Sequence, residues 1–177
     1  MNLWHDVPRG KNAPESFNCI IEIPKGSLNK YEIDKETGLI ALDRVSHTAQ
    51  PYPFDYGFVP QTLWEDGDAL DVVVLTTVPL LPGILVEVRP VAVMPMIDSG
   101  ESDYKIIAVP AGDPRWANVK DLSDVNPHTL KEMQHFFEYY KKLQNKVVTV
   151  EAPLDATAAK AAFEKSVVLY NEKFGAK

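Results

Sequence analysis

Two runs of sequence decide the fold class: Cys19-Ile20-Ile21-Glu22-Ile23-Pro24, and Lys30-Tyr31-Glu32-Ile33-Asp34-Lys35-Glu36-Thr37-Gly38-Leu39-Ile40-Ala41-Leu42. Each consists of a few strand-forming residues closed off by Pro, Asp or Gly. The first predicts a strand over 19–23. The second predicts strands over 30–33 and 39–42, joined by a loop over 34–38 whose acidic start and closing glycine suit a hairpin. Working outward, similar runs predict strands over 72–76, 84–88, 91–94, 105–109 and 147–151. Many short strands with tight turns predict a small closed barrel.

After Asn126 the period changes. Leu130, Met133, Phe137 and Tyr140 recur every three or four residues, with Phe136 and Leu143 widening the stripe, which predicts an amphipathic helix over 127–145. Asn126 suits the N-cap and Pro127 the first helical position, where no amide is needed. A second helix is expected over 157–173, capped by Asp155 or Thr157. Its face of Ala159, Phe163, Val167 and Tyr170 should pack on the barrel. The stretch 78–83 contains two prolines and a glycine and reads as a turn. The class is therefore α+β, mainly β.

With 177 residues and no internal repeat or linker, one domain over 1–177 is expected. A net charge of −7 argues against binding to nucleic acid, which takes clustered Lys and Arg. No apolar run approaches the roughly 20 residues of a membrane span. Cys19 has no cysteine partner and the amino terminus lacks a secretory layout, so a cytoplasmic setting is expected.

The chemistry gathers in Asp66-Gly67-Asp68-Ala69-Leu70-Asp71, where three carboxylates surround a glycine that lets the backbone bend. An isolated Asp-Gly-Asp favours an ordinary acidic turn. A calcium loop of the EF-hand type fails, because Asp71 falls where glycine is needed and Thr77 where the bidentate Glu belongs. A second acidic loop, Asp98-Ser99-Gly100-Glu101-Ser102-Asp103, ends in Tyr104-Lys105, and the two loops suit a shared multi-metal site. Lys30 and Glu32 face one side of their strand, and Arg44 closes the next; these are phosphate-binding candidates beside the plainer reading of a solvated salt-bridge face. Glu22 interrupts an apolar strand and needs a cation or solvent nearby. Tyr52-Pro53-Phe54-Asp55-Tyr56-Gly57 reads as an ordered aromatic loop with phenols available as donors. Tyr140 and Lys141 come late on the first helix, the one on its buried stripe and the other rotated off it.

Together these segments resemble the family I soluble inorganic pyrophosphatases over nearly the whole chain, from Asp6 to Glu151. The resemblance rests on Ile21-Glu22-Ile23-Pro24, Lys30-Tyr31-Glu32-Ile33-Asp34, Leu42-Asp43-Arg44, the 52–57 stretch, the six-residue aspartate motif, Met96-Ile97-Asp98 through Asp103-Tyr104-Lys105, and His135-Phe136-Phe137-Glu138-Tyr139-Tyr140-Lys141. It implies a five-stranded OB-like closed barrel with flanking hairpins and two main helices. It also implies hydrolysis of inorganic pyrophosphate with several Mg²⁺ ions, Mn²⁺ or Zn²⁺ being possible substitutes, and a cytoplasmic homo-oligomer, a hexamer in bacterial and archaeal members. Position by position, Asp66, Asp71, Asp103, Asp98 and Glu22 match metal ligands. Lys30, Arg44, Tyr56, Tyr140 and Lys141 match phosphate ligands, Asp68 matches the proton acceptor, and Glu32, Tyr52 and Lys105 match supporting residues. Two departures stand out: Ala69, where the family usually has Pro or Glu, and Glu151-Ala152-Pro153 in place of Glu-Gly-Trp. A barrel that binds without catalysing, or an acidic metal-binding protein, are the competing readings, since fold does not dictate function.

Overall fold

The computed structural model describes residues 1–175; Ala176 and Lys177, the last two of the expected domain, lie outside the described residues. Five strands close the barrel in the order β1 (Phe17–Ile23), β4 (Asp55–Phe58), β5 (Asp71–Val74), β9 (Lys105–Pro110) and β6 (Leu85–Met94). All neighbours are antiparallel except β5 and β9. The hairpin of β2 (Asn29–Ile33) and β3 (Ile40–Val45) stands apart, and a small sheet joins β10 (Val148–Val150), β7 (Met96–Asp98) and β8 (Glu101–Ser102). The barrel, flanking hairpin and two helices agree with the expected class.

The barrel strands read as continuous apolar runs because both of their faces are covered. Alternate residues Val72, Val74, Ile106 and Ala108 pack with Phe17, Ile21 and, from helix α2 (Ala156–Phe174), Ala159 and Phe163. The intervening Val73, Ile107 and Val109 join Ile23, Phe54 and, from helix α1 (Pro127–Tyr139), Met133, Phe136 and Phe137. Period-two alternation thus divides one ladder between two apolar layers.

The observed elements differ from expectation at three places, each with a physical reason. Residues 55–58, read as part of a loop, form β4: Gly57 lies opposite Ile21, and a Cβ on it would sit 2.0 Å from the Ile20 carbonyl oxygen. The strands expected over 84–88 and 91–94 are one bent strand, because Pro90, which has no N–H, sits at a bulge where the register shifts. Helix α1 stops at Tyr139 rather than near 145, and the chain continues through a 3₁₀ turn to Asn145, whose φ of 56° is left-handed. Tyr140 and Lys141 therefore follow the helix instead of lying on it.

The cap expectations hold: Asn126 accepts from the His128 N–H and Asp155 from the Ala158 N–H. Ahead of α2, the unusual 151–153 segment keeps its pairing, with Val93 and Leu154 exchanging N–H to carbonyl bonds of 3.0 and 2.8 Å. Among the described residues no helix is long and apolar enough to cross a membrane.

Candidate active site

The aspartate motif is a tight turn leading into β5. Gly67, at φ +87°, lets its N–H reach the Trp64 carbonyl at 3.1 Å, while Trp64 N–H donates to the Asp68 carbonyl at 2.7 Å. Asp66 Oδ1 accepts the Asp68 N–H at 3.0 Å, a local Asx turn. Ala69 is buried with Trp4, Ile20, Phe58 and Tyr170, so the position that departs from the family pattern contributes packing alone.

A cavity of about 280 Å³ opens beside the start of β5, and both acidic loops meet in it. Its walls include Asp66, Asp68, Asp71, Asp98 and Asp103 together with Lys30, Lys105, Lys141, Tyr52, Tyr56 and Tyr140. Glu22 and Glu32 line an adjoining cavity of about 180 Å³ that shares Lys30, Tyr56, Asp68 and Asp71. Arg44 lines neither cavity. It pairs across the hairpin with Lys30, and its guanidinium donates to Asp43 at 2.7 Å.

Strand register fixes the centre. Asp71 and Lys105 are direct partners on the parallel pair β5 and β9, and the Lys105 ammonium lies 2.5 Å from both Asp71 Oδ2 and Asp103 Oδ1. Only 3% of the Lys105 side chain is exposed. Burial opposes its charge, but Asp103 and Asp71 outweigh that and hold its pKa well above the ordinary lysine value. Lys105 also sits 5.5 Å from the centre of the Tyr56 ring.

The carboxylates exceed what these cations balance. Burial pushes Asp66 up to about 7, with added repulsion from Asp71 and Asp103 against the pull of the Asp68 N–H and Lys105. Asp71 is raised by burial and by Asp103, despite Lys105. Burial and then Asp71 drive Glu22 well up, although it accepts the Ile33 N–H at 2.7 Å. Asp98 is held low because its pairing with Lys141 outweighs its burial. Among the described residues no three of His, Cys, Asp and Glu converge as a closed metal cage; Lys105 bridges Asp71 and Asp103 instead.

Burial opposes the charge of Lys30, but Glu32 and Asp43 together keep its ammonium above the ordinary value. Burial lifts the Tyr52 phenol to about 12 against the pull of Lys30, Arg44 and Lys105, so it stays a neutral donor. Tyr56 and Tyr140 are also raised well above the ordinary phenol value, burial again coming first.

Sequence reasoning missed four contributors. Asp43 holds both Lys30 and Arg44, and Lys146 lines the cavity just beyond the left-handed Asn145. Lys35 pairs with Asp68. Asp55, fully buried, accepts from the Lys25 and Leu80 N–H groups and the Thr76 hydroxyl, tying β4 to two neighbouring turns. A buried carboxylate must find donors, but neither the burial of Asp55 nor its place in a strand was visible in a stretch that reads as a loop.

A family described as inorganic pyrophosphatase has a sequence model that matches residues 19–171. A soluble inorganic pyrophosphatase of Zea mays is 52% identical over 167 residues, 94% of this chain and 78% of that protein. Soluble inorganic pyrophosphatase 4 of Arabidopsis thaliana is 49% identical, over 94% of this chain and 77% of its own. The crystal structure of inorganic pyrophosphatase from Thermus thermophilus superposes with a TM-score of 0.93 at 46% identity, covering 97% of this chain and 99% of that one. A barrel of this topology, both acidic loops in one cavity and these likenesses along nearly the whole chain lead to one assignment: the chain belongs to the inorganic pyrophosphatase family.

Proposed function

We propose that this pyrophosphatase hydrolyses inorganic pyrophosphate to two phosphates with several Mg²⁺ ions, in the cavity where its two acidic loops meet. The observation that carries the reading is the joining, in one cavity, of Asp66, Asp71, Asp98 and Asp103 with Lys30, Lys141, Tyr56 and Tyr140. The donor set fits hard divalent cations, because every acidic group is an oxygen donor. Burial and mutual repulsion already disfavour ionised Asp66, Asp71 and Glu22, a cost that bound cations relieve.

In this reading Asp66, Asp71 and Asp103 would hold ions, and Asp98 and Glu22 would serve further ones. When bound, the ions make a water more acidic and neutralise phosphate charge, and Mn²⁺ or Zn²⁺ offers the same kind of chemistry. Asp68 accepts a proton from the water that attacks phosphorus. The new P–O bond forms as the bridging P–O bond breaks, and the departing phosphate keeps that electron pair. Lys30, Arg44 and Lys141 oppose the charge so released, while Tyr56 and Tyr140 donate to phosphoryl oxygens, since phosphoryl transfer depends mainly on positioning and electrostatics. Tyr52 and Glu32 support these groups, and Lys105 keeps Asp71 and Asp103 in place.

A cytoplasmic setting belongs to the same reading, and its support is Cys19, a buried free thiol. So does a homo-oligomer, a hexamer, for which Val78, Leu81, Ile84 and Leu85 offer exposed apolar surface. Native mass measurement tests the assembly. Phosphate release from pyrophosphate, assayed with Mg²⁺ and with a chelator, tests the reaction: metal-dependent turnover is expected, and no turnover with Mg²⁺ present rejects it.

A further inference from the structure

Asp68 is held from outside the phosphate cavity. Its Oδ1 lies 2.5 Å from Lys35 Nζ, although the two side chains are 56% and 59% exposed and come from separate loops. Backbone contact brings them together. The tip of the β2–β3 hairpin lies so close to the amino-terminal segment that a Cβ on Gly38, at φ +72°, would sit 2.7 Å from Asn2 Cα. Within the tip, Asp34 Oδ1 accepts from the Thr37 N–H and hydroxyl at 2.7 and 2.6 Å, which fixes the loop that carries Lys35.

Trp4 supplies the second support. Lys35 Nζ stands 5.9 Å from the centre of its indole ring, within cation–π range. The indole is itself immobilised: it is buried, and Nε1–H donates to the Thr62 carbonyl at 2.8 Å. The Thr62 hydroxyl accepts the Leu70 N–H at 3.0 Å, so the platform under Lys35 is bonded to the same loop that bears Asp68.

We infer that Lys35, seated on Trp4, is a positioning residue that orients the Asp68 carboxylate for proton transfer. The inference rests on the reading of Asp68 as the proton acceptor. Lys35 engages Oδ1 and leaves Oδ2 for a water in the cavity. Lys35 lines the smaller cavity with Trp4 and Asp68, and is absent from the walls of the larger one that holds Tyr140 and Lys141. Its ammonium is paired with Asp68, so its contact with the site runs through that carboxylate. A carboxylate more than half exposed gains little orientation from packing, so the ion pair sets its angle. Exposed ion pairs contribute little to folding, and the loss of Lys35 should register in turnover.

The test measures pyrophosphate hydrolysis at saturating Mg²⁺ for the full chain and for Lys35→Met, Lys35→Arg, Asp68→Asn and the Lys35→Met/Asp68→Asn double variant. Lys35→Met should lower kcat about threefold to tenfold and leave KM within about twofold, the scale expected for a misplaced reacting group. Lys35→Arg should restore most of the loss. The double variant should be no slower than Asp68→Asn alone, because the two residues act as one unit. Lys35→Gln serves as a second neutral variant should methionine disturb the hairpin. An unchanged kcat in both neutral variants, a raised KM at constant kcat, or additive losses would overturn the inference. Loss of turnover in Asp68→Asn alongside intact neutral Lys35 variants rejects only the role of Lys35, whereas unaltered turnover in Asp68→Asn rejects the role of Asp68 and this inference with it.

Discussion

Two lysines grip aspartates of the same six-residue motif, and they do so in opposite ways. Lys105 meets Asp71 on the barrel, with 3% of its side chain exposed and its position dictated by the β5–β9 register. Lys35 meets Asp68 on the rim, more than half exposed and placed by a hairpin tip. Charges on the barrel are expensive to leave unpaired and so are geometrically fixed. Charges on the rim cost little to separate, which suits a group proposed to meet a water and take its proton. One short motif thus has a buried half, locked by the barrel register, and an exposed half held by a single ion pair; in the proposed reading the first gathers cations and the second takes the proton.

The sharpest way to break this contrast is Lys105→Met in the metal-free protein. It strands Asp71 and Asp103, and by analogy with other broken buried pairs it should cost about 3–5 kcal/mol of stability. Urea unfolding in chelator checks this, and Mg²⁺ should restore part of the loss; a cost below about 1 kcal/mol would mean that the barrel charges are not fixed as described.

Next in size is a pH effect at Asp66. Its folded pKa is raised to about 7, so the protonated form predominates below that pH. Mg²⁺ requires the ionised carboxylate, and its apparent affinity should fall as pH drops through 7, by up to about tenfold per unit from this group. The same sign makes the metal-free chain gain stability as pH falls from about 7 towards 4, since the folded state binds the extra proton. Calorimetric Mg²⁺ titrations at pH 8 and pH 6 check the first effect, and equal affinities would remove Asp66 from the set that meets the ion.

The smallest effect belongs to another rim pair, Lys165 with Glu65, both about half exposed. Lys165→Ala should change stability by less than about 1 kcal/mol in urea unfolding. A larger loss would erase the distinction between rim and barrel.

The contrast also explains what the sequence disclosed. Barrel strands were legible because β-branched runs such as 105–109 carry their own signal, and the acidic loops because their carboxylates are close in sequence. Strand β4 was hidden: Tyr56-Gly57 lacks β-branched alternation, and the glycine is needed there only because β1 approaches it closely. The end of α1 was misplaced because the apolar stripe runs on through Leu143, while the chain turns into a 3₁₀ segment next to the Lys141 pairing with Asp98. Lys35 and Asp43 escaped notice since their partners are set by the docking and pairing of the hairpin, which leaves no local pattern. Ala69, the departure inside the motif, proved to be a small buried residue against Trp4 and Tyr170.

The division of labour within the motif is tested most directly by measuring turnover and Mg²⁺ affinity together in Asp68→Asn. The account predicts kcat lower by about 10²–10⁴, the range for a lost general base, with the Mg²⁺ midpoint within about twofold of the parent. Unaltered turnover, or a loss of Mg²⁺ binding that accounts for the fall, would contradict it.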